Sequence, residues 1–264
     1  MKPKIIFFDI DGTLLIENSR IIPESTRKSI KIAQQKGNLV FINTGRPKIS
    51  LDKFITDLNF DGYICGCGTY VEFKEEVLLS KSLGNHLSSL IVSKLREYKI
   101  DGILEGKDCL YYDQNENIKS KEVFNLKNYH LSEKLYTGLT WDDNNINFDK
   151  FTIFGDDNSN FDCFIKDFNN IFEFINRGKN FYEVVPKGYS KASGIKFIID
   201  KLNIPIENTY AIGDSTNDLS MLQYVNNSIA MGNSTSILFD YVSFVTKDID
   251  EDGVEFALKH YKII

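Results

Sequence analysis

Two aspartates near the start of the chain, Asp9 and Asp11, are the first residues whose types and spacing could do chemistry. They follow the apolar run Ile5–Phe8, and such a run bounded by turn residues is typical of a strand covered on both faces in a parallel sheet. Asp9 then lies at the carboxyl end of the strand, the edge where open α/β sheets bind ligands. Carboxylates spaced i, i+2 on extended chain point the same way and need a cation or a shared proton. Because Mg²⁺ is usually held by carboxylates together with phosphate oxygens, the pair predicts phosphate chemistry.

The Asp-x-Asp-Gly fragment also has common alternatives, since it occurs in plain turns and in calcium-binding loops. In an EF-hand loop, Asp11 and Thr13 would fit the third and fifth positions, but the twelfth position is Arg20. Arginine offers no oxygen ligand, so the calcium interpretation fails. A turn without chemistry remains the alternative for this fragment taken alone.

Three further sets of polar residues fall at predicted strand ends or just ahead of a predicted helix: Thr44 with Gly45, Lys191, and Asp214 with Asp218. In phosphoryl transfer, positioning and charge stabilisation provide nearly all of the catalysis. Asp9 would be the nucleophile, and Asp214 would supply a second carboxylate to the metal. Thr44 offers a hydroxyl, Gly45 an unhindered backbone N–H, and Lys191 an ammonium for the charge that develops on the phosphoryl oxygens.

The elements that would position these residues follow a doubly wound pattern in the first part of the chain. Residues 23–36 begin with a proline and an early acid and are followed by glycine, which predicts a helix. Residues 39–42 predict a second strand, a further helix is expected up to about Leu58, and residues 63–65 predict a third strand. This alternation predicts parallel strands with right-handed crossovers, so Thr44 should lie at a strand end beside the first strand.

The middle of the chain has a different pattern. Residues 67–80 predict a hairpin, and polar helical stretches then alternate with short aromatic strands at 110–112, 151–154, 171–174 and 182–185. The sequence distance between Thr44 and Lys191 far exceeds what two crossovers use, so we predict that an α+β domain is inserted here. Its clusters rich in Asp and Asn, 142–145 and 156–158, are typical of solvated turns rather than metal sites.

After Pro186 the doubly wound pattern resumes. The predicted elements are a helix at 192–202, a strand at 210–212, a helix beginning near Leu219, strands at 228–230 and 241–245, and a helix at 253–261. The predicted fold class is therefore α/β, with a doubly wound parallel sheet in residues 1–82 and 186–264. Residues 83–185 form the predicted inserted α+β domain.

Composition and charge exclude several classes of protein. The 264 residues are 42% hydrophobic and 26% charged, which is typical of a globular protein with ample material for a core. A net charge of −6 argues against a nucleic-acid partner. No stretch approaches the roughly 18 apolar residues that span a bilayer, and no signal-peptide pattern is present, so we expect a cytoplasmic protein without a membrane partner. The four cysteines lack zinc-site spacing, and we expect free thiols.

Four motifs stand out when the chain is taken as a whole: Asp9-Ile10-Asp11-Gly12-Thr13-Leu14, Asn43-Thr44-Gly45-Arg46, Lys191, and Gly213-Asp214-Ser215-Thr216-Asn217-Asp218. Together they resemble the motifs of the haloacid dehalogenase-like superfamily of phosphohydrolases. The runs Ala230-Met231-Gly232-Asn233 and Ile249-Asp250-Glu251-Asp252-Gly253-Val254 further resemble its Cof-type, class IIB sugar-phosphatase branch. The resemblance covers the predicted parallel-sheet domain, and the inserted domain occupies the position that the family calls a C2 cap, here of the C2B type.

The resemblance implies a mechanism and a set of site residues. Asp9 would attack phosphorus to give an aspartyl-phosphate, and Asp11 would protonate the leaving oxygen and then deprotonate the hydrolytic water. In the family, Mg²⁺ is held by residues that match the Asp9 carboxylate, the backbone carbonyl of Asp11 and the Asp214 carboxylate. Asn217 would contact the phosphoryl group, together with Thr44, Gly45 and Lys191.

Two further residues, Asp218 and Arg46, have expected supporting roles, and each also has an alternative structural interpretation. Asp218 would support the water shell of the metal or orient Lys191, and its alternative is an N-cap of the helix that follows, which is compatible with either role. Arg46 could reach the leaving group, and its alternative is packing at a helix start.

The resemblance favours a phosphatase that acts on small phosphorylated metabolites, with sugar phosphates first and FMN or pyridoxal phosphate next. A phosphotransferase like the phosphomannomutases is the nearest competing enzyme, because that group shares both aspartates and the cap type. A sensor that binds phosphorylated ligands without turnover is the non-enzymatic alternative. The inserted domain would close over the site and choose the substrate. The sequence does not predict the oligomeric state, and a monomer is compatible with it.

Residues that could line a substrate pocket in the inserted domain are Tyr111, Tyr112, Lys119, Trp141 and Tyr182. Aromatic residues at strand positions more often belong to a core, so this is the stronger expectation for them. The three histidines, His86, His130 and His260, lie outside every motif, and we expect them on the surface or in packing positions.

Overall fold

The computed structural model describes residues 2–16, 19–178 and 180–264. Contacts within the chain divide it into two compact units. The first unit is Met1–Gly45, Lys53–Leu78 and Ser190–Ile264, and the second unit is Arg46–Asp52 and Leu79–Tyr189. Every helix in the described ranges is too short or too polar to cross a lipid bilayer.

Strands and helices alternate along most of the described chain. The strands are β1 (Ile5–Phe8), β2 (Leu39–Asn43), β3 (Gly62–Cys65), β4 (Tyr70–Phe73), β5 (Glu76–Ser80), β6 (Asp101–Glu105), β7 (Leu110–Tyr112), β8 (Lys150–Phe154), β9 (Phe172–Gly178), β10 (Phe181–Pro186), β11 (Thr209–Gly213), β12 (Asn227–Ala230) and β13 (Phe244–Val245). The α-helices are α1 (Glu24–Gln35), α2 (Lys53–Thr56), α3 (Asn85–Glu97), α4 (Lys121–Ser132), α5 (Phe161–Phe168), α6 (Lys191–Leu202), α7 (Leu219–Tyr224) and α8 (Gly253–His260). Short 3₁₀ turns lie at Lys48–Ser50, Gly66–Gly68, Ile206–Asn208, Thr216–Asp218, Ser236–Tyr241 and Ile249–Glu251.

The first unit is built on a sheet with the strand order β13-β12-β11-β1-β2-β3-β4-β5. The strands from β13 to β3 pair in parallel, and β4 pairs antiparallel with β3. The chain leaves β1 toward β2 on one side and returns to β11 on its other side, so the strand order reverses at β1. This is the topological switch point where doubly wound sheets bind ligands. The predicted α/β class with a parallel sheet is confirmed.

The central strand of this sheet is held by burial on both faces. All four side chains of Ile5–Phe8 are fully buried, and burying each such side chain stabilises the fold by about 1.5–3 kcal/mol. Among the helices of the unit, α1 packs against α8 and α6 packs against α7. A strand buried in this way gives the residue that follows it a fixed position.

The second unit has an antiparallel sheet with the strand order β7-β6-β8-β10-β9. One apolar cluster combines residues of α3 and α5 with the sheet, and Phe151 and Phe164 are among its fully buried members. A second cluster includes Tyr112 of β7 and Val123 of α4. The division of the chain into a catalytic core and a substrate-selecting cap remains a prediction.

The structure differs from the sequence-based element predictions in three places. Strand β6 was not predicted, although it lies inside the second sheet. The helix expected up to about Leu58 is instead a 3₁₀ turn followed by the single turn α2. The strand expected at 241–245 is reduced to β13, because the residues up to Tyr241 form a 3₁₀ turn.

Candidate active site

Residues at the carboxyl ends of neighbouring parallel strands form the candidate site. Phe8 of β1 pairs with Ile212 of β11, and the Asp9 N–H donates to the carbonyl of Ile212 at 3.0 Å. Asp9 and Asp214 therefore follow adjacent strands at the same edge of the sheet. Thr44 directly follows β2 on the other side of β1, and it is buried.

Lys191 brings an ammonium group into this site. Its Nζ donates to Asp9 Oδ1 at 2.6 Å and to Asp218 Oδ1 at 2.5 Å, and the residue is 1% exposed. Burial opposes its charge, but the carboxylates of Asp218 and Asp9 outweigh that effect and raise the pKa of Lys191. The lysine is therefore a fixed cation at neutral pH.

The local structure around Lys191 fixes where its side chain begins. Lys191 is the first residue of α6, and Ser190 caps this helix in a reciprocal capping box with Ser193. The Asn43 side-chain amide donates to the carbonyl of Lys191 at 3.1 Å. The backbone of the lysine is thus tied both to its own helix cap and to the end of β2.

Asp218 organises the loop after β11 and also holds the lysine. Its Oδ2 accepts the backbone N–H groups of Asp214 at 3.0 Å and Ser215 at 3.1 Å, while Oδ1 accepts from Lys191. These bonds orient Lys191, which was one of its expected roles. Asp218 also stands at the N-cap position of α7, but its side chain makes no cap bond to that helix. Instead it forms a capping box with Ser215 in the 3₁₀ turn before α7.

Three carboxylates crowd together at this sheet edge. One oxygen from each of Asp9, Asp214 and Asp218 lies within 4.8 Å of the others, and within the described ranges no other acidic, histidine or cysteine group is compact enough to hold a metal ion. Burial, Asp218 and Asp214 raise the pKa of Asp9, although Lys191 acts in the opposite direction. Three carboxylates against one lysine leave excess negative charge, which a divalent cation would neutralise. The residues therefore fit a metal.

Asp214 is the better of the two further ligands in this cluster, and Gly12 and Thr13 keep it in place. Both carboxylate oxygens of Asp218 are already accepting hydrogen bonds. The Thr13 hydroxyl donates to Asp214 Oδ1 at 3.1 Å. Gly12 has a φ of +80°, and a Cβ built on it would lie 2.4 Å from Asp214 Oδ2. Only glycine allows the carboxylate to approach this loop so closely.

Asp11 has a different environment from Asp9. It is exposed, and its carboxylate is not part of the three-carboxylate cluster. The loop that carries it is a tight turn, in which the Leu14 N–H donates to the Ile10 carbonyl at 2.9 Å and the Gly12 N–H donates to the Leu15 carbonyl at 2.9 Å. A fixed loop with an accessible carboxylate suits a group that exchanges protons with substrate and water.

The remaining predicted site residues are divided between the two units: Asn217 and Gly45 belong to the first and Arg46 to the second. Asn217 is half-buried, and its Oδ1 accepts from the Ser215 hydroxyl at 2.5 Å. Gly45, also half-buried, follows Thr44 in the first unit. Arg46 belongs by its contacts to the second unit, where its Nη1 donates to Asp52 Oδ2 at 3.2 Å.

One residue of the site was quoted only as part of a family motif and was given no role. The Asn233 amide donates to the Gly12 carbonyl at 2.9 Å, and its Oδ1 accepts the Ile249 N–H at 2.9 Å. It therefore ties the loop that carries Asp11 to the segment before α8. The signal in the sequence was a polar residue three positions after the end of β12.

The candidate pocket residues of the second unit divide between its core and a cavity. Tyr111 and Tyr112 are buried in the two apolar clusters, and Tyr182 packs against one of them, as expected for core residues. Trp141 is likewise buried in the first of these clusters, as expected, and it also borders a cavity of about 1040 Å³ within this unit, which Lys119 lines too.

The histidines occupy surface or packing positions. His86 is exposed, and exposed His260 stacks on Phe244 with ring centroids 4.0 Å apart. His130 is half-buried and lies 2.6 Å from the Tyr112 hydroxyl through Nδ1. Burial and the Arg46 charge lower the pKa of His130 to about 4. The four cysteines are free, as expected.

Comparisons with known proteins agree with this geometry. The family model of the haloacid dehalogenase-like hydrolases matches residues 6–258. Among proteins with assigned names, YkrA of Bacillus subtilis strain 168, named as a phosphatase, is 30% identical over the full length of both chains. YwtE of the same organism, named as a 5-amino-6-(5-phospho-D-ribitylamino)uracil phosphatase, is 28% identical over 97% of this chain and 96% of its own length.

Solved structures give the same result. The subclass IIB sugar phosphatase BT4131 is 29% identical and superposes with a TM-score of 0.84 over 99% of this chain and all of its own. A second structure, described as a member of a phosphoryl-transfer superfamily, is 28% identical with a TM-score of 0.81 over the full length of both chains.

Proposed function

Since this chain belongs to the haloacid dehalogenase-like hydrolases and is a phosphatase, we propose that it hydrolyses small phosphorylated metabolites, sugar phosphates first, with Mg²⁺ as cofactor. The observation that carries the proposal is the cluster in which Lys191 bridges Asp9 and Asp218 beside Asp214. A nucleophilic carboxylate, a fixed cation and a second carboxylate for a metal are the components that phosphoryl transfer requires.

The proposed reaction has two steps. In the first, a carboxylate oxygen of Asp9 attacks phosphorus, the ester P–O bond breaks, and Asp11 gives its proton to the leaving oxygen. In the second, Asp11 takes a proton from a water molecule, the water oxygen attacks phosphorus, and the bond between phosphorus and Asp9 breaks. Asp9 is thereby regenerated, and inorganic phosphate is released. The exposure of Asp11 supports its role, because it must reach substrate and water in turn.

The other residues stabilise charge and position. Lys191 and the Thr44 hydroxyl, with the Gly45 N–H and the Asn217 amide, would bind the phosphoryl oxygens on which negative charge develops. Asp9, Asp214 and the backbone carbonyl of Asp11 would hold the metal. When bound, Mg²⁺ would neutralise the repulsion between the carboxylates and the phosphate dianion. Asp218 keeps Lys191 oriented, and Arg46 would bind the leaving-group side of the substrate.

The substrate class rests on the relatives. A subclass IIB sugar phosphatase of nearly the same length supports a sugar phosphate. The relative YwtE supports a second candidate, a ribityl phosphate that carries a uracil. Both are phosphate monoesters of a polyhydroxylated carbon chain. We propose that the second unit acts as the cap that selects among such substrates.

The experiment is a phosphate-release screen with Mg²⁺, over hexose, pentose and ribityl phosphates, FMN and pyridoxal phosphate. Asp9→Asn is the matched control, because it is isosteric and removes the nucleophilic charge. We expect turnover by the wild type and none by the variant. Release without a bisphosphate activator separates a phosphatase from a mutase. Turnover by Asp9→Asn would refute the nucleophile, and no hydrolysis of any ester would favour a sensor.

A further inference from the structure

Asn43, the last residue of β2, links the end of that strand to the start of α6. Its side chain is fully buried. The Nδ2 amide donates to the carbonyl of Lys191 at 3.1 Å and lies 3.6 Å from the sulfur of Met221 in α7. The amide therefore holds the backbone of the residue whose side chain brings the ammonium group into the site.

The side-chain oxygen of Asn43 does not contribute to holding the fold together. In the part of the chain that the structure describes, no donor lies within hydrogen-bond distance of this buried Oδ1. A buried acceptor without a partner destabilises a protein, whereas an apolar side chain at the same place carries no such cost. Folding alone therefore gives asparagine little advantage over leucine, which has the same branching. What asparagine adds is the donor to the Lys191 carbonyl.

A second contact confines the backbone just before Lys191. Gly68, in the 3₁₀ turn after β3, has a φ of +88°, and a Cβ built on it would lie 2.3 Å from the Ser190 carbonyl oxygen. Only glycine allows the turn to approach α6 so closely. Ser190 is thus confined by packing against the end of β3, and Lys191 is held by a hydrogen bond from the end of β2. The start of α6 is fixed relative to both strand ends.

The strand end that holds Lys191 also carries Thr44. The Thr44 N–H donates to the Ile64 carbonyl at 2.9 Å, and the Thr44 carbonyl accepts the Cys67 N–H at 3.1 Å. Asn43 is joined to Thr44 by a peptide bond and to Lys191 by a hydrogen bond. One side chain therefore sets the spacing between the backbone positions of two groups that would bind the same phosphoryl group.

We propose that Asn43 is a positioning residue for phosphoryl transfer, which holds the Lys191 ammonium and the Thr44 hydroxyl at the spacing that the transition state requires. A misplacement of reacting groups by about 1 Å can lower a rate by about 10²-fold. A hydrogen bond that prevents such a displacement therefore acts on the reaction more than on the fold. This inference rests on the proposed function, because it requires a phosphate ester that turns over.

The test compares Asn43→Leu and Asn43→Ala with the wild type, using the phosphate ester hydrolysed fastest in the screen. Both variants lose the donor to Lys191, so we expect kcat to fall about tenfold in each, with KM nearly unchanged. Their stabilities should differ, as measured by urea midpoints. Leucine fills the site and removes the unpartnered acceptor, so its midpoint should change little, whereas alanine leaves a cavity and should lower the midpoint.

The matched control is Asn227→Leu, at the amino end of β12. The Asn227 amide also donates to backbone carbonyls, those of Glu207 at 3.2 Å and Thr209 at 3.0 Å, but it contacts none of the site residues. Asn227→Leu should lower the urea midpoint and leave kcat unchanged. It therefore shows whether the loss of any amide-to-carbonyl bond in this unit is enough to lower kcat.

A double-mutant cycle tests whether Asn43 acts through the lysine. In a Lys191→Met background, Asn43→Leu should cause no further loss of kcat, because the group that it positions is gone. A wild-type kcat in Asn43→Leu, a loss of kcat that follows the loss of stability from leucine to alanine, or an equal loss with and without Lys191 would overturn the inference while leaving the phosphatase intact. If the wild type hydrolyses no ester, the proposed function and this inference both fail.

Discussion

Two of the buried lysines in the described part of the chain, Lys191 and Lys150, each lie between two carboxylates. Lys191 in the first unit bonds Asp9 and Asp218. Lys150 in the second unit is 2% exposed, and its Nζ lies 2.8 Å from an oxygen of Glu105 and 2.8 Å from an oxygen of Glu183. The two clusters use the same groups at similar distances, so their functional difference must come from their surroundings.

The surroundings differ in placement and in charge. Lys150 lies within the antiparallel sheet, where β8 has β6 on one side and β10 on the other, so its partners are cross-strand neighbours. Lys191 begins helix α6, and its ammonium group bonds Asp9, which follows β1, in a cluster where Asp214 adds a third carboxylate. Two carboxylates against one ammonium leave one negative charge, whereas three leave two, which is the charge that a divalent cation neutralises. A buried lysine between two acids therefore does not by itself indicate catalysis.

The largest expected effect is on stability, from Lys150→Met. Removing the cation leaves Glu105 and Glu183 buried without their partner, and breaking a buried pair in this way costs about 3–5 kcal/mol. Urea unfolding would measure the loss, with kcat per folded molecule unchanged. A folded variant with kcat reduced a hundredfold would break the comparison, because Lys150 would then act in catalysis.

The corresponding change in the first unit, Lys191→Met, should act mainly on the reaction. Loss of one preorganised group that stabilises transition-state charge lowers kcat by about 10²–10³, or about 2.7–4 kcal/mol. Phosphate release at saturating Mg²⁺ would measure it, with circular dichroism to establish that the variant is folded. A kcat within threefold of the wild type would contradict a catalytic role for Lys191 and would show that both lysines act only in stability.

Metal binding should distinguish the two clusters directly. Mg²⁺ at a hundred times its dissociation constant would stabilise the folded wild type by about 2.7 kcal/mol, provided that it binds only the folded state. Thermal unfolding with Mg²⁺ and with EDTA would measure this, and Asp214→Asn should abolish the difference. Glu183→Gln in the second unit is the control, and it should retain the stabilisation. Equal loss in both variants would contradict a metal site confined to the first unit.

The last expected effect is a pH dependence of stability beside Lys150. Burial raises the pKa of Asp149 to about 7, against the effect of Lys107. Between its unfolded value of about 4 and this folded value, only the folded chain keeps the proton, so stability falls as pH rises through this window. Asp149→Asn should therefore gain stability relative to the wild type between pH 4 and 7, as measured by urea midpoints. A constant difference over this range would refute the assignment.

Much of the site could be predicted because the ends of strands can be recognised in the sequence. An apolar run followed by a polar residue marks the carboxyl end of a strand, and parallel strands bring these ends to one edge. Asp9, Thr44 and Asp214 were found in this way, and their roles in catalysis remain predictions. The position of Lys191 at a helix start agreed with the same logic. The family resemblance is confirmed by the match over residues 6–258.

The remaining features depend on register and tertiary contact, which a single sequence does not encode locally. Strand β6 was missed because its short apolar centre lies between charged ends, Asp101 and Glu105. The pairing of Lys150 with its two glutamates requires the register of three strands that are distant in sequence. The bond from Asn43 to the Lys191 carbonyl likewise joins a strand end to a helix start that is 148 positions away in the sequence.

The two-sided bonding of Asp218 has a consequence for how such an enzyme can change over evolution. The same carboxylate accepts hydrogen bonds from the loop backbone and from the Lys191 ammonium. A substitution of Asp218 would therefore change the conformation of the loop and the electrostatics of the site together. Neither property can be tuned separately through this residue. Substitutions that change the substrate range are therefore expected to leave Asp218 unchanged. We expect them at positions where a side chain has only one structural or chemical role.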